Sequence, residues 1–222
     1  GETAGTGFDM ASFQEPVGRD GWALHVYSLP SMDSLQEQHK ELERRGHCFV
    51  RYADDAIFGF QYEADARRFL SELTERLRKF GLELNADKTR LIEFGRFADR
   101  DRRGRGGGKP KTCDFLGFTH SCARTRAGRF TVLRQTMRKR LRTKLSEVKA
   151  ELRRRMHDPV PDQGAYLHSV VKGHCQYYGV PLNGPALKAF RHAIGWIWCR
   201  TLRRRSQRHR LTWSRMRRLI NR

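Results

Sequence analysis

Hydrophobic positions change period along this chain, from short strand-like runs in the first half to helical stripes in the second. HCFVRY (47–52) and AIFGFQ (56–61) are β-rich and joined by Ala53, Asp54 and Asp55, which predicts a hairpin with carboxylates at its tip. Upstream, MDSLQEQHKELERR (32–45) is built of good helix formers, with Ser31 or Asp33 as its cap and Gly46 as its stop. Downstream, residues 63–81 set Phe69, Leu70, Leu73, Leu77 and Phe80 on one helical face and end at glycine. LEL (82–84) and RLIEF (90–94) read as short strands around the polar turn NADKT, and DFLGFTH (114–120) and RFTVL (129–133) as a hairpin closed at Gly128. The remainder is helical. A helix over 137–156 aligns Leu141, Leu145, Val148 and Leu152 and is ended by Pro159 and Pro161; two more follow over 163–179 and 184–207, and a short last one lies behind a Thr212 cap.

The pattern divides the chain in three. Residues 1–30 read as a poorly ordered leader, since the first 21 carry neither period; residues 31–133 are mixed β and α; residues 134–222 are helical. Inside the middle part, RFADRDRRGRGGGKPK (96–111) reads as a flexible basic loop that holds no regular element. The class is α+β.

Charge sharpens this division. The formal net charge is +21, yet residues 1–98 hold 13 Lys+Arg against 17 Asp+Glu; the remainder therefore holds 32 against 7, a net +25. Self-repulsion of that size destabilises a compact state unless a polyanion relieves it. No apolar run of membrane-spanning length and no secretory signal is present, and the five cysteines form no C-x-x-C pair, so the expectation is a cytoplasmic protein with reduced thiols. His168 and His174 lack the spacing of a metal pair.

Neighbouring residues on a strand point to opposite faces, so Asp54 and Asp55 converge only at a tight turn. Clustered carboxylates repel, and a hard divalent cation such as Mg²⁺ is one reason to keep them together. Two solvated aspartates in a surface turn are the plainer alternative.

The surrounding residues bear on that choice. FVRYADD (49–55) resembles the Tyr-x-Asp-Asp box of reverse transcriptases, and RGHCFVRYADD its form in group II intron proteins. LRKFGLELNADKTRLIEFGRFA resembles the next palm segment of that family, DFLGFTH its Phe-Leu-Gly-Phe segment, and GHCQYYGVPLNGPALKAF with RRSQRHRLTW its maturase or thumb domain. The resemblance covers roughly residues 33–218. It implies a partial reverse transcriptase palm (the YADD hairpin, a helix and short antiparallel strands) followed by an all-helical thumb. Asp54 would be the main Mg²⁺ carboxylate with Asp55 beside it, and Tyr52 would lie near the incoming nucleotide. Lys88 matches a family lysine assigned to the leaving pyrophosphate, and equally reads as a turn-surface lysine. Phe115, Leu116, Gly117 and Phe118 would support the primer end, while their apolar character also fits a core.

Departures from the family pattern matter as much. No third carboxylate on an earlier strand, no Pro-Gln-Gly turn and no fingers are legible upstream of Tyr52; Asp9 is the nearest acid with any claim. The chain thus reads as the C-terminal part of a polymerase, inactive alone, whose missing half a longer parent or separate chain would supply. No Cys-rich nuclease module is legible either.

In the basic half, Arg134, Arg138, Lys139, Arg140, Arg203, Arg204, Arg205 and Arg208 are the candidate phosphate contacts. Tyr166, Tyr177, Tyr178, Trp196, Trp198 and Trp213 are interleaved with them as possible base-stacking groups, although helical spacing favours core packing. The expected partners are group II intron RNA or another structured RNA, an RNA/DNA duplex, and an N-terminal reverse transcriptase half, with no membrane. A maturase-like RNA binder without polymerase activity, and an eroded gene fragment, are the competing readings.

Overall fold

The computed structural model describes residues 21–26, 48–52, 55–205 and 211–220. The chain is α+β and forms two units. The first takes in the chain to Phe115 with His120–Leu133, and the second Leu116–Thr119 with everything from Arg134 onward. The expected helix over 32–45 lies outside the described residues, as do Asp9, Asp54 and Arg208.

The first unit is built on an antiparallel sheet of β1 (Trp22–Val26), β2 (Cys48–Tyr52), β3 (Asp55–Phe60) and β4 (Arg90–Glu93), in the order β2-β3-β1-β4. β1 falls within residues 1–30, expected to be a poorly ordered leader, and corrects that expectation for its own five residues. Its five residues lie inside the sheet, with Trp22, Leu24 and Val26 opposite Phe60, Phe58 and Ala56 of β3. That period-2 set makes one apolar face. Helix α1 (Glu63–Lys79) covers it with Ala66, Phe69, Leu73 and Leu77, and the Phe69 ring lies 4.9 Å from Phe58 and 5.3 Å from Phe60. Burying four such side chains contributes roughly 1.5–3 kcal/mol for each large one.

The end of α1 follows directly from Gly81. At φ +70° it lets its own N–H reach the Arg78 carbonyl and the Leu82 N–H reach the Leu77 carbonyl, both at 3.0 Å, closing the helix with a Schellman motif. Phe80, expected on the apolar face, is exposed, because the helix has already ended there. The expected strand at 82–84 is absent; Leu82 and Leu84 pack against the core from an irregular segment instead.

The basic stretch 96–111 also differs from expectation, since it holds helix α2 (Ala98–Gly104). Glu93, nearly buried at the end of β4, accepts from Arg105 at 2.5 Å and lies 3.8 Å from Arg102. Gly107 donates back to the Arg102 carbonyl at 2.7 Å. An acid outside the stretch thus anchors it, which composition within the stretch does not reveal.

A three-stranded sheet follows, β5 (Cys113–Phe115), β6 (Phe118–Arg124) and β7 (Phe130–Thr136), in that order. DFLGFTH is therefore two strands, not one. They are joined through Leu116 and Gly117 at φ +48° and +77°, positive values at both central positions as a tight two-residue hairpin loop requires. The four described cysteines are free, and burial, with Asp114 adding to it, pushes the Cys113 thiol up to about 12, which leaves it inert as a nucleophile.

The second unit contains α3 (Arg138–Arg154), α4 (Val160–Tyr178), α5 (Gly184–Arg203) and α6 (Trp213–Ile220). Pro161, expected only to end the preceding helix, sits in the first turn of α4, where its missing N–H has no partner to lose. The shared core is Val148 and Leu152 of α3, Leu167 of α4, Phe190, Ile194, Trp198 and Cys199 of α5, and Met216 of α6. Thr212 caps α6, its Oγ1 accepting from the Arg215 N–H at 3.4 Å.

His174 is buried in this core with its ring stacked on Phe190 at 3.7 Å. Burial first, and the Lys144 charge second, hold its imidazole below the ordinary value of 6.5. The unfolded chain therefore binds a proton that the folded one refuses. Stability of this unit is expected to fall as pH drops through the unfolded pKa of about 6.5. Urea midpoints at about pH 7.5 and about 5.5 check it: the drop should shrink in His174→Phe, and an equal drop in both proteins would show that other groups carry it.

Candidate functional site

The hairpin is seated by its own register. Tyr52 pairs with Asp55 across β2 and β3, so Asp55 opens a strand and only Ala53 and Asp54 remain to connect the two. Asp55 is half-buried and engaged within the fold, whereas Tyr52 is 57% exposed. The sheet adds a third group to this end. Val26 lies opposite Ala56, and His25 opposite Arg90, so the start of β4 is at the same end of the sheet as Asp55. Lys88 precedes that start by two residues. It is exposed on a turn in which its N–H donates to the Asn85 carbonyl at 3.2 Å and side-chain oxygen at 3.1 Å.

Tyr52, Asp55 and Lys88 thus share one end of one sheet, an arrangement that depends on β1 lying between β3 and β4. β1 itself reads Trp-Ala-Leu-His-Val and brings no carboxylate. Among the described residues no group of three His, Cys, Asp or Glu comes together. Asp55 is the described carboxylate at this end of the sheet, and its neighbour Asp54 lies outside the described residues.

Within the second unit, the Leu116–Phe118 segment has supports that sequence reading assigned elsewhere. Tyr177 Oη donates to the Leu116 carbonyl at 3.0 Å, and Met137 N–H donates to the Gly117 carbonyl at 3.0 Å. Phe118 is buried with its ring 6.0 Å from Tyr177 and 5.1 Å from Tyr178. A Cβ on Gly117 would stand 2.9 Å from Tyr178 Oη, so the turn needs glycine for space as well as for its φ. Phe115 and Phe118 are core; Leu116 and Gly117 form the turn. The pair Tyr177-Tyr178 carried a local signal, two adjacent aromatics near a helix end, but its partner lies about 60 residues upstream.

The candidate phosphate contacts separate clearly. Arg134 is 5% exposed, on the same strand face as buried Thr136, and engaged within the fold; its assignment as an RNA contact is corrected by that burial. Arg138, Lys139 and Arg140 are all exposed in the first turn of α3, which holds no acid. Cations at the positive end of a helix dipole cost stability rather than adding it. Arg203 donates from Nε to the Leu211 carbonyl at 2.9 Å, and Arg205 donates to the Asp158 carbonyl, so both tie chain segments together. Arg204 is exposed.

Two buried polar residues escaped the sequence reading. Gln163 donates from Nε2 to the Arg155 carbonyl at 2.6 Å and accepts from Trp198 Nε1 at 2.9 Å. Asn183 accepts from the Thr136 N–H at 3.0 Å and donates to Thr136 Oγ1 at 2.9 Å and to the Tyr178 carbonyl at 2.8 Å. No helix among the described residues is long and apolar enough to cross a membrane.

Residues 26–120 match the family model described as reverse transcriptase (RNA-dependent DNA polymerase). The match begins at the last residue of β1 and takes in the YADD hairpin, α1, β4 and the Leu116–Gly117 turn. No curated protein matches the chain.

Proposed function

We propose that this chain acts as an RNA-binding protein of the group II intron reverse transcriptase/maturase type, in which the helical unit grips structured RNA and the palm-like unit does not polymerise unaided. The observation that supports it most directly is the first turn of α3, where three exposed cations sit together without an acid at the helix end least suited to them. A polyanion relieves that cost, and counterion release on contact with phosphates provides the driving force. The net +25 after residue 98 extends the same surface chemistry along the helices.

The polymerase role rests on less. Asp54 and Asp55 would hold Mg²⁺, which when bound would stabilise charge at a transferring phosphoryl group; a third carboxylate would have to come from elsewhere. An RNA binder without polymerase activity is therefore the second reading, favoured by the carboxylate-free β1.

A salt series tests the main reading. The full chain should bind a structured RNA with log K falling linearly against log salt, and Arg138→Gln, Lys139→Gln and Arg140→Gln together should flatten the slope by up to about two to three. Salt-insensitive binding, or an unmoved slope, counts against it. Primer extension tests the polymerase side: the chain alone should incorporate no dNTP, and incorporation that Asp54→Ala abolishes would show it to be a polymerase in its own right, against both readings.

A further inference from the structure

We propose that the stacked indoles of Trp196 and Trp213 form a platform that receives one unpaired base of the bound RNA, on the exposed face of Trp196. Two tryptophans two residues apart on α5 have separate fates. Trp198 is 6% exposed, inside the core, with its Nε1 donating to Gln163. Trp196 is 37% exposed, although a ring of that size has more to gain from burial than almost any other side chain.

The exposed ring is held in place. Trp213 of α6 stacks on it nearly parallel, with centroids 4.7 Å apart and planes 13° apart. Trp196 Nε1 donates to His192 Nε2 at 3.0 Å, one helical turn back, and the His192 ring stands edge-on to both indoles at 6.1 and 5.7 Å. That bond satisfies the indole N–H on its own helix, so a ligand needs to supply no partner for it. Gly195 makes room for the pair. A Cβ there would lie 3.3 Å from the Trp213 ring and 3.0 Å from Ile220, so a larger residue would push α6 away. Backbone and side chains are both arranged to present a rigid aromatic surface outward, which keeps the entropic cost of stacking low.

The surroundings choose the occupant. Lys188 and Arg200 are exposed on the same helix, eight residues before and four after Trp196. From residue 163 to 222 the chain carries thirteen Lys+Arg and no Asp or Glu. A flat π-face between cations, with no acid in sixty residues, is complementary to a base on a phosphate backbone. Pairing would shield the base faces, so the base must be unpaired.

This rests on the RNA-binding reading, and two probes keep the failures distinct: an RNA hairpin with a single-stranded loop, carrying 2-aminopurine in that loop, and a fully paired duplex of equal length. The full chain should bind both and quench the loop 2-aminopurine. Trp196→Ala should weaken loop-RNA binding roughly five- to a hundredfold, change duplex binding less than about twofold, and abolish the quench, with Trp196→Phe recovering much of the loss. Circular dichroism checks that the variants keep their helices; if Trp196→Ala does not, the native quench and the Trp196→Phe affinities decide. Binding of both RNAs without a quench, or equal loss for both probes, overturns the platform alone. Absence of binding to either RNA overturns the RNA-binding reading and the platform with it.

Discussion

Gln163→Leu is expected to lower the stability of the helical unit by about 2–4 kcal/mol, because it leaves polar groups without partners in a dry place. Gln163 is fully buried at the start of α4. Its Nε2 meets the Arg155 carbonyl at 2.6 Å and the Asp158 carbonyl at 3.3 Å, holding the turn that leaves α3, and its Oε1 takes the Trp198 N–H of α5. One amide thus joins three consecutive elements. Leucine fills the volume and satisfies none of them, and each stranded group costs about 1–3 kcal/mol. Urea unfolding followed by tryptophan fluorescence reads this unit well, since Trp196, Trp198 and Trp213 all lie in it. Trp198→Phe removes the other end of the contact, so the double variant should lose less than the sum of the two singles. A loss below about 1 kcal/mol for Gln163→Leu would mean that water reaches these groups and the network is not what orders the turn.

Asn183→Ala should be nearly as damaging, at about 2–4 kcal/mol, through a different linkage. Asn183 is 1% exposed and binds Thr136, 47 residues earlier, through both its amide oxygen and its amide nitrogen. It also takes the Tyr178 carbonyl at the end of α4, a group that the helix itself cannot satisfy. Thr136 is the last residue of β7, two before the cationic first turn of α3. Hydrogen exchange gives the sharper readout: the Thr136 amide should lose most of its protection while amides in the middle of α5 keep theirs until global unfolding. Asn183→Asp keeps the acceptor but gives up both donors and buries a carboxylate against the Tyr178 carbonyl, and should cost at least as much as alanine. Unchanged exchange at Thr136 would refute the linkage.

What the sequence determined by itself is local and additive. Charge summed along the chain located its basic part, and the apolar period located α1, α3, α4, α5 and α6 to within a few residues, because each stripe is written in one contiguous segment. The YADD hairpin was legible for the same reason, two β-rich runs with little between them.

What only tertiary structure decided involves partners far apart in the chain. β1 is a five-residue stretch whose alternation becomes a strand only when β3 and β4 supply hydrogen bonds on both sides. α2 is held by Glu93, an acid outside the basic segment. The burial of Arg134, the clamp of Tyr177 on Leu116 and the networks of Gln163 and Asn183 likewise join residues whose types are ordinary and whose meaning comes from what they meet. Trp196 and Trp198 make the point most simply. Their types and neighbours are alike, but two residues on a helix are about 200° apart, so packing sends one ring into the core and leaves the other at the surface.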